Sequence, residues 1–202
     1  MKLRKLLSGV LAATIAISSV AMSAFTTVNA DYSGTCGDNA TWTLTDDGLL
    51  TISGTGSAND YTGFDPYYTS ILNIVVEEGI TDIDNSLFWG YGNVKTVSLP
   101  STLTSLGTQI FYNCTSLEYI NIPEGVTELK TNLFYNCSNA DLVIDIQSTS
   151  LTSIASLAFG SSVVGTIYVY SQDMYDLVSA KATSATVVLV GASTVDTTSL
   201  EA

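Results

Sequence analysis

The sequence predicts a repeat solenoid: short β-strands joined by brief helical or 3₁₀ turns, with a β-hairpin cap at one end and a helix–strand cap at the other. Three observations predict it. Five apolar segments, 74–76, 97–99, 120–122, 144–146 and 167–169, begin 23, 23, 24 and 23 residues apart. A constant period in this range marks coils that bury their faces only against their neighbours. Phe88, Phe111, Phe134 and Phe159 recur in the same register. So do Thr81, Thr104, Thr127 and Thr152, each followed two residues later by Ile83, Leu106, Leu129 or Ile154.

Residues 1–30 carry Lys2, Arg4 and Lys5, then a run of apolar and small residues, then Val28-Asn29-Ala30. This pattern predicts a secretory signal peptide cleaved before Asp31. The next segment, 31–72, is rich in Gly, Thr, Asp and Tyr, and we read no repeat register in it. Its segments 41–44 and 50–53 flank Thr45-Asp46-Asp47-Gly48 and read as a β-hairpin. Trp42, Leu44, Leu50 and Ile52 are expected to cover the first rung, because an uncapped end exposes core and an unpaired strand edge. Pro66 and the glycines near Tyr61, Tyr67 and Tyr68 suggest a mobile loop.

The solenoid proper is expected over 73–170. Each strand alternates apolar, polar, apolar, so two side chains point inward and the middle one outward. Pro100 and Pro123 directly follow strands and turn the chain. Asn113 and Asn136, with Gly90 in the same row, suit a turn that needs positive φ. Val94 and Leu117 close the first two units, with Ala140 in the corresponding place of the third. The fourth unit has one extra residue before Ile144 and another in 147–151, so the coil is expected to loosen there. In the cap at 171–190, Ser171 can N-cap a helix bearing Met174, Leu177 and Val178 on one face. Residues 187–190 read as a last strand, and 191–202 as a disordered tail.

Past residue 30 only Lys95, Lys130 and Lys181 are cationic, against all nineteen acidic residues. That balance disfavours nucleic acid and anionic lipid as partners. No second long apolar run follows, so membrane insertion after signal removal is not expected. The chain has no His, which removes Ser-His-Asp and Cys-His catalysis and His-based metal sites. No glycine motif that cradles phosphate is present, and neither a metal nor a cofactor is expected. Carboxylate-only hydrolysis through Asp46 and Asp47, or Asp82 and Asp84, ranks last, and no catalytic residue is assigned. Asp82, Asp84 and Asn85 offer oxygen ligands without a complete calcium loop. Cys114 and Cys137 share one row; they form either a buried thiol ladder or a bridge between adjacent rungs. Cys36 has no evident mate. Asn39, Asn113 and Asn136 lie in Asn-x-Ser/Thr sequons, although two of them occupy the turn row.

The runs Ile-Pro-Glu-Gly-Val-Thr-Glu-Leu at 122–129 and Leu-Phe-Tyr-Asn-Cys-Ser at 133–138 resemble the leucine-rich repeat variant of the BspA-like surface proteins. The segment 41–56 is similar to the N-terminal cap of bacterial members. This resemblance spans about residues 32–190. It implies a secreted or surface-attached binding protein, and some similar proteins are adhesins for host matrix proteins.

Two rows are candidate binding surfaces. Trp89, Tyr112 and Tyr135 each follow a buried Phe and would form an aromatic stripe up the coil, suited to a protein partner or to sugar rings. The outward strand face carries Tyr119, Asn121 and Tyr168, with Thr96, Ser98, Val143 and Asp145 beside them. The expected function is binding of an extracellular protein, including adhesion; the alternative is a glycan-binding module that uses the aromatic row.

Overall fold

A computed structural model describes residues 32–160 and 162–191. The expected signal peptide at 1–30 and residues 192–202 of the expected tail lie outside the described residues. The chain opens with β1 (Tyr32–Thr35), β2 (Ala40–Leu44), β3 (Leu49–Gly54) and β4 (Gly56–Ala58). A 3₁₀ turn at Asp65–Tyr67 leads to β5 (Asn73–Val76) and β6 (Ile80–Ile83). Then come β7 (Thr96–Ser98), β8 (Ser105–Leu106), β9 (Tyr119–Ile122) and β10 (Glu128–Leu129). The chain continues through β11 (Val143–Ile146), β12 (Ser153–Ile154), β13 (Thr166–Val169), α1 (Gln172–Ser179) and β14 (Thr186–Leu189).

One long sheet runs β1-β2-β3-β5-β7-β9-β11-β13-β14, antiparallel through β1, β2 and β3 and parallel from β3 onward. Its register sets Ile74, Val97, Ile120, Ile144 and Ile167 side by side, as the apolar spacing predicts, and Val187 of the last strand joins them. Short strands line the opposite wall, with β4-β6-β8 and β10-β12 as separate ladders. The core between the walls is a set of columns. Phe88, Phe111, Phe134 and Phe159 stack with centroid spacings of 5.8, 5.6 and 6.1 Å. All four are buried.

The column starts one rung earlier than the sequence reading placed it. Phe64 lies 6.2 Å from Phe88 and is fully buried, and Leu50 pairs with Ile74 in the parallel ladder. The segment read as lacking the register therefore supplies a rung. The stretch expected to be a mobile loop is pinned by Phe64 and Ile71, both buried, with Pro66 early in the 3₁₀ turn. The helical turn expected beside each Phe is 3₁₀ at Asp65–Tyr67; in later rungs that place is a non-helical turn.

The fourth unit keeps register instead of loosening. The residue added in 147–151 lets Ser148 turn inward, where its hydroxyl donates to the Val126 carbonyl at 2.7 Å. Thr152 N–H still reaches the Thr127 carbonyl at 2.8 Å. The residue added before Ile144 shifts the closing position from Ala140, which is exposed, to Leu142, which is buried.

Turns are shared between rungs as well. Gly90, Asn113 and Asn136 have φ of 80°, 62° and 59°, as expected. A second left-handed row, Ser86, Gln109 and Asn132, was not foreseen. Its amides reach the carbonyls of Thr108, Thr131 and Leu157 in the following rungs. Glu78 accepts from Ser101 N–H at 2.9 Å and Thr102 N–H at 3.1 Å, and Glu124 accepts from Thr149 Oγ1 at 2.7 Å and Thr149 N–H at 2.9 Å, so each carboxylate fastens the next coil. These bonds hold both carboxyls below their usual range.

All three cysteines are free and buried. Cys114 and Cys137 donate to the carbonyls of Phe88 and Phe111, at 3.4 and 3.1 Å, which is the thiol ladder. Burial pushes the Cys137 thiol up to about 12, and burial then Asp60 push Cys36 up to about 11. Raised values mean that the folded state favours the neutral thiol. Stability is thus complete below about pH 9 and falls as pH rises from there toward 12. Urea midpoints measured at pH 7, 9 and 10.5 should decline over the last interval. The decline should be shallower in Cys137→Ala.

The C-terminal cap forms as expected. Ser171 Oγ accepts from Met174 N–H at 3.3 Å, Asp173 sits in the first turn, and Met174 and Val178 are buried. Among the described residues no helix is long and apolar enough to cross a membrane.

Candidate functional site

The aromatic row is built by a turn that repeats in each rung. The amides of Trp89, Tyr112 and Tyr135 donate to the carbonyls of Ser86, Gln109 and Asn132, three residues back, at 3.0, 3.3 and 3.2 Å. Gly90 and Asn113 then donate to the Tyr112 and Tyr135 carbonyls of the next rung, at 2.7 and 2.9 Å. Side chains are thereby repeated at the rung spacing. Trp89 and Tyr112 stack with centroids 6.0 Å apart and planes 23° apart; Tyr112 and Tyr135 stack at 4.9 Å and 13°. Trp89 is 52% exposed and Tyr135 36%, with Tyr112 half-buried between them.

This geometry sets which ring surfaces the row leaves open. Ring faces inside the stack are covered by one another. The far side of Tyr135 lies against Gly160, where an added Cβ would come within 3.0 Å of the ring. What remains open is the outer face of Trp89 and a run of ring edges and phenol tips. Sugar rings stack on aromatic faces, so the row is poorly suited to a chain of sugars. Its rigid edges suit a protein surface, where Trp and Tyr are favoured contact residues.

The outward strand face carries a second group. Asp145 accepts from Tyr170 Oη at 2.7 Å, Gln147 Nε2 at 3.0 Å and Tyr119 Oη at 3.4 Å. Burial, then the neighbouring carboxylate, pushes Tyr119 up to about 12; burial, then the bond to Asp145, raises Tyr170. Tyr168 pairs directly with Asp145 in the β11–β13 register. Tyr170 and Gln147 were missed by the sequence reading. Both lie two residues beyond an outward position, Tyr168 and Asp145, so strand alternation was the available signal.

Asn121, a predicted site residue, is engaged otherwise. Its Oδ1 accepts from Leu99 N–H at 2.8 Å and its Nδ2 donates to the Leu99 carbonyl at 2.9 Å, closing the ladder where β7 ends. Replacing it leaves both backbone groups unpaired. Asn121→Ala should lower unfolding free energy by about 1–3 kcal/mol in denaturant titration, with no dependence on any ligand.

The remaining candidates are tied into the coil. Asp82 accepts from Ser57 Oγ at 2.9 Å. Asp84 accepts from the Asn85 amide at 2.7 Å. Asn85 accepts from Thr108 N–H and Oγ1 at 2.7 and 3.0 Å. Thr45 Oγ1 donates to Asp47 in the hairpin turn. Asn136 Nδ2 donates to Asn113 Oδ1 at 2.8 Å, so the two sequon asparagines of the turn row form a ladder. Among the described residues no group of three or more acidic or cysteine side chains is placed to hold a metal ion.

Comparison with known proteins agrees with this architecture. A leucine-rich repeat protein from Eubacterium ventriosum, known from a crystal structure, is 25% identical with a TM-score of 0.54, covering 71% of this chain and 45% of that one. The pneumococcal vaccine antigen PcpA is 15% identical with a TM-score of 0.51, covering 71% of this chain and 42% of that one, a likeness of fold. The chain thus spans less than half the length of either protein. No curated protein matches it. The family described as BspA type leucine rich repeat region matches residues 64–176 in six copies, beginning at the Phe64 that opens the buried column, and the chain belongs to that family.

Proposed function

We propose that this chain is an exported, non-enzymatic binding module that engages an extracellular protein, with adhesion to a host or matrix protein as its role. The observation that carries the reading is the solvent-facing stack of Trp89, Tyr112 and Tyr135. It is rigid, so ordering it on binding costs little side-chain entropy. Covered ring faces favour a protein over a glycan for this row. Tyr119, Tyr168 and Tyr170 around Asp145 extend the contact on the strand face. Export rests on the charge and apolar pattern of residues 1–30.

Surface plasmon resonance against purified fibronectin, fibrinogen, laminin and collagen tests the reading. Saturable binding to one of them, weakened tenfold or more in Trp89→Ala/Tyr112→Ala at unchanged Tm, is expected. Equal binding by this variant, or binding to none, would count against it. Saturable binding on a glycan array, lost with the same two substitutions, would move the site to carbohydrate. Substrate turnover abolished by Asp82→Asn would revive an enzymatic role.

A further inference from the structure

The wall opposite the long sheet is divided. β4, β6 and β8 form one ladder and β10 and β12 another, and β8 does not pair with β10. The junctions on either side of this gap are well fastened. Thr104 N–H and Oγ1 both donate to the Thr81 carbonyl, at 2.9 and 3.1 Å. Thr152 N–H and Oγ1 donate likewise to the Thr127 carbonyl, at 2.8 and 3.1 Å. Gly107 N–H reaches the Ile83 carbonyl at 2.8 Å, and Ala155 N–H the Leu129 carbonyl at 2.9 Å. Thr102 Oγ1 donates to the Ile80 carbonyl at 2.9 Å and Ser148 Oγ to that of Val126 at 2.7 Å. Glu78 and Glu124 add their clasps at the same two junctions.

Between the rung of β8 and the rung of β10 every one of these rows is broken. Among the described residues the Thr127 and Lys130 amides have no backbone partner, and Thr127 Oγ1 donates to none. The sequence supplies the cause. Ser101 stands 23 residues after Glu78 and 23 before Glu124, and its side chain is too short to clasp the next coil. Gly125 stands 23 residues after Thr102 and 23 before Ser148, and it brings no hydroxyl. The same two rungs are joined on the other sides of the coil. At the long sheet Asn121 grips both backbone groups of Leu99. Beside the buried column the Gln109 and Phe111 amides reach the Thr131 and Leu133 carbonyls at 3.2 and 3.0 Å. The aromatic row is also closest here, with 4.9 Å between Tyr112 and Tyr135 against 6.0 Å between Trp89 and Tyr112. Rungs bonded along two sides and unbonded along the third are free to tilt about the bonded sides.

We propose that this seam is a hinge, at which the block before β9 and the block from β9 onward tilt by opening and closing the wall between β8 and β10. Tilting changes the curvature of the outward strand face and the spacing of Tyr112 and Tyr135, so both candidate surfaces adjust to the shape of a partner. The hinge does not depend on what those surfaces bind, and its test uses no ligand. NMR on the full ¹⁵N-labelled chain provides two readouts. In hydrogen exchange, the Thr127 and Lys130 amides should exchange about tenfold or more faster than those of Thr104, Gly107, Thr152 and Ala155. In weakly aligned samples, N–H residual dipolar couplings should require separate alignment tensors for residues 40–117 and 118–189, with different magnitudes. Division one rung later, at residue 141, should fit less well. Equal protection of the two sets of amides, couplings that fit one tensor for the whole chain, or an equally good division at residue 141 would overturn the hinge.

Discussion

Phe111→Ala is expected to destabilise the fold by about 3–5 kcal/mol, the usual cost of emptying a buried aromatic site. Phe111 is fully buried, with Phe88 at 5.8 Å on one side and Phe134 at 5.6 Å on the other. Backbone bonds link Phe111 and Phe134 to the next rung: Phe111 N–H reaches the Leu133 carbonyl at 3.0 Å, and Phe134 N–H the Ala158 carbonyl at 2.7 Å. These bonds hold the rungs at their spacing, so the walls have little freedom to close the void. Loss of the ring also removes two stacked contacts beyond the area it buries. Equilibrium urea unfolding of the variant checks the figure, and a midpoint equal to the parent's would place Phe111 outside the core. Phe88→Ala should cost a similar amount, whereas Trp89→Ala, one residue further along and exposed, should cost far less.

Gly165→Ala carries the second large expected effect. An added Cβ at this buried position would lie 2.0 Å from the Leu142 carbonyl oxygen, a backbone atom. That same oxygen accepts from Thr166 N–H at 2.8 Å, in the bond that starts the β11–β13 ladder. The methyl group therefore cannot be accommodated by a side-chain rotation; the fifth rung has to move. About 3 kcal/mol of destabilisation is expected, at the upper end for overpacking. Gly90→Ala provides the contrast. A Cβ there meets nothing within 4 Å, and only its φ of 80° resists the change. Its cost should be about 1 kcal/mol. Thermal unfolding of the two variants side by side checks the order, and equal Tm losses would contradict the close approach at Gly165.

Much of this fold was legible because a parallel coil repeats its chemistry at fixed spacing. Alignment of Ile74, Val97, Ile120, Ile144 and Ile167 required only counting, and the ladder reproduces it. The N-terminal rung was missed although its signal was present. Leu50-Thr51-Ile52 precedes Ile74 by one period, and Phe64 precedes Phe88 by the same distance. The intervening Gly, Thr and Tyr residues concealed it, because composition was weighed above register. Ala140 was placed at the core by counting through an insertion, where the physical demand for an apolar group selects Leu142 instead. The clasp residues Glu78 and Glu124 were illegible for another reason. Their partners lie one coil away, at a distance that only the turn geometry sets.

The candidate site divides along the same line. That Trp89, Tyr112 and Tyr135 share a row follows from the repeat. That their rings face one another depends on the rung spacing and on side-chain torsions, which the repeat alone does not set. Asn121 looked like a free outward amide, but its position at the end of β7 makes it a backbone partner of Leu99. Trp42 was read correctly as a cover for the first rung and is buried there, yet the unmet indole N–H could not be inferred from its residue type.

The central claim is that successive coils shield one another's apolar side chains in continuous columns. Double-mutant cycles with Phe→Leu substitutions test it most directly, with unfolding free energy as the readout. Phe111 and Phe134 touch, so their pair should show a coupling of about 0.5–1.5 kcal/mol. Phe88 and Phe159 are separated by two rings of the column, Phe111 and Phe134, so their effects should add to within about 0.5 kcal/mol. Additive effects for the adjacent pair, or a coupling as large between the distant pair, would contradict the column.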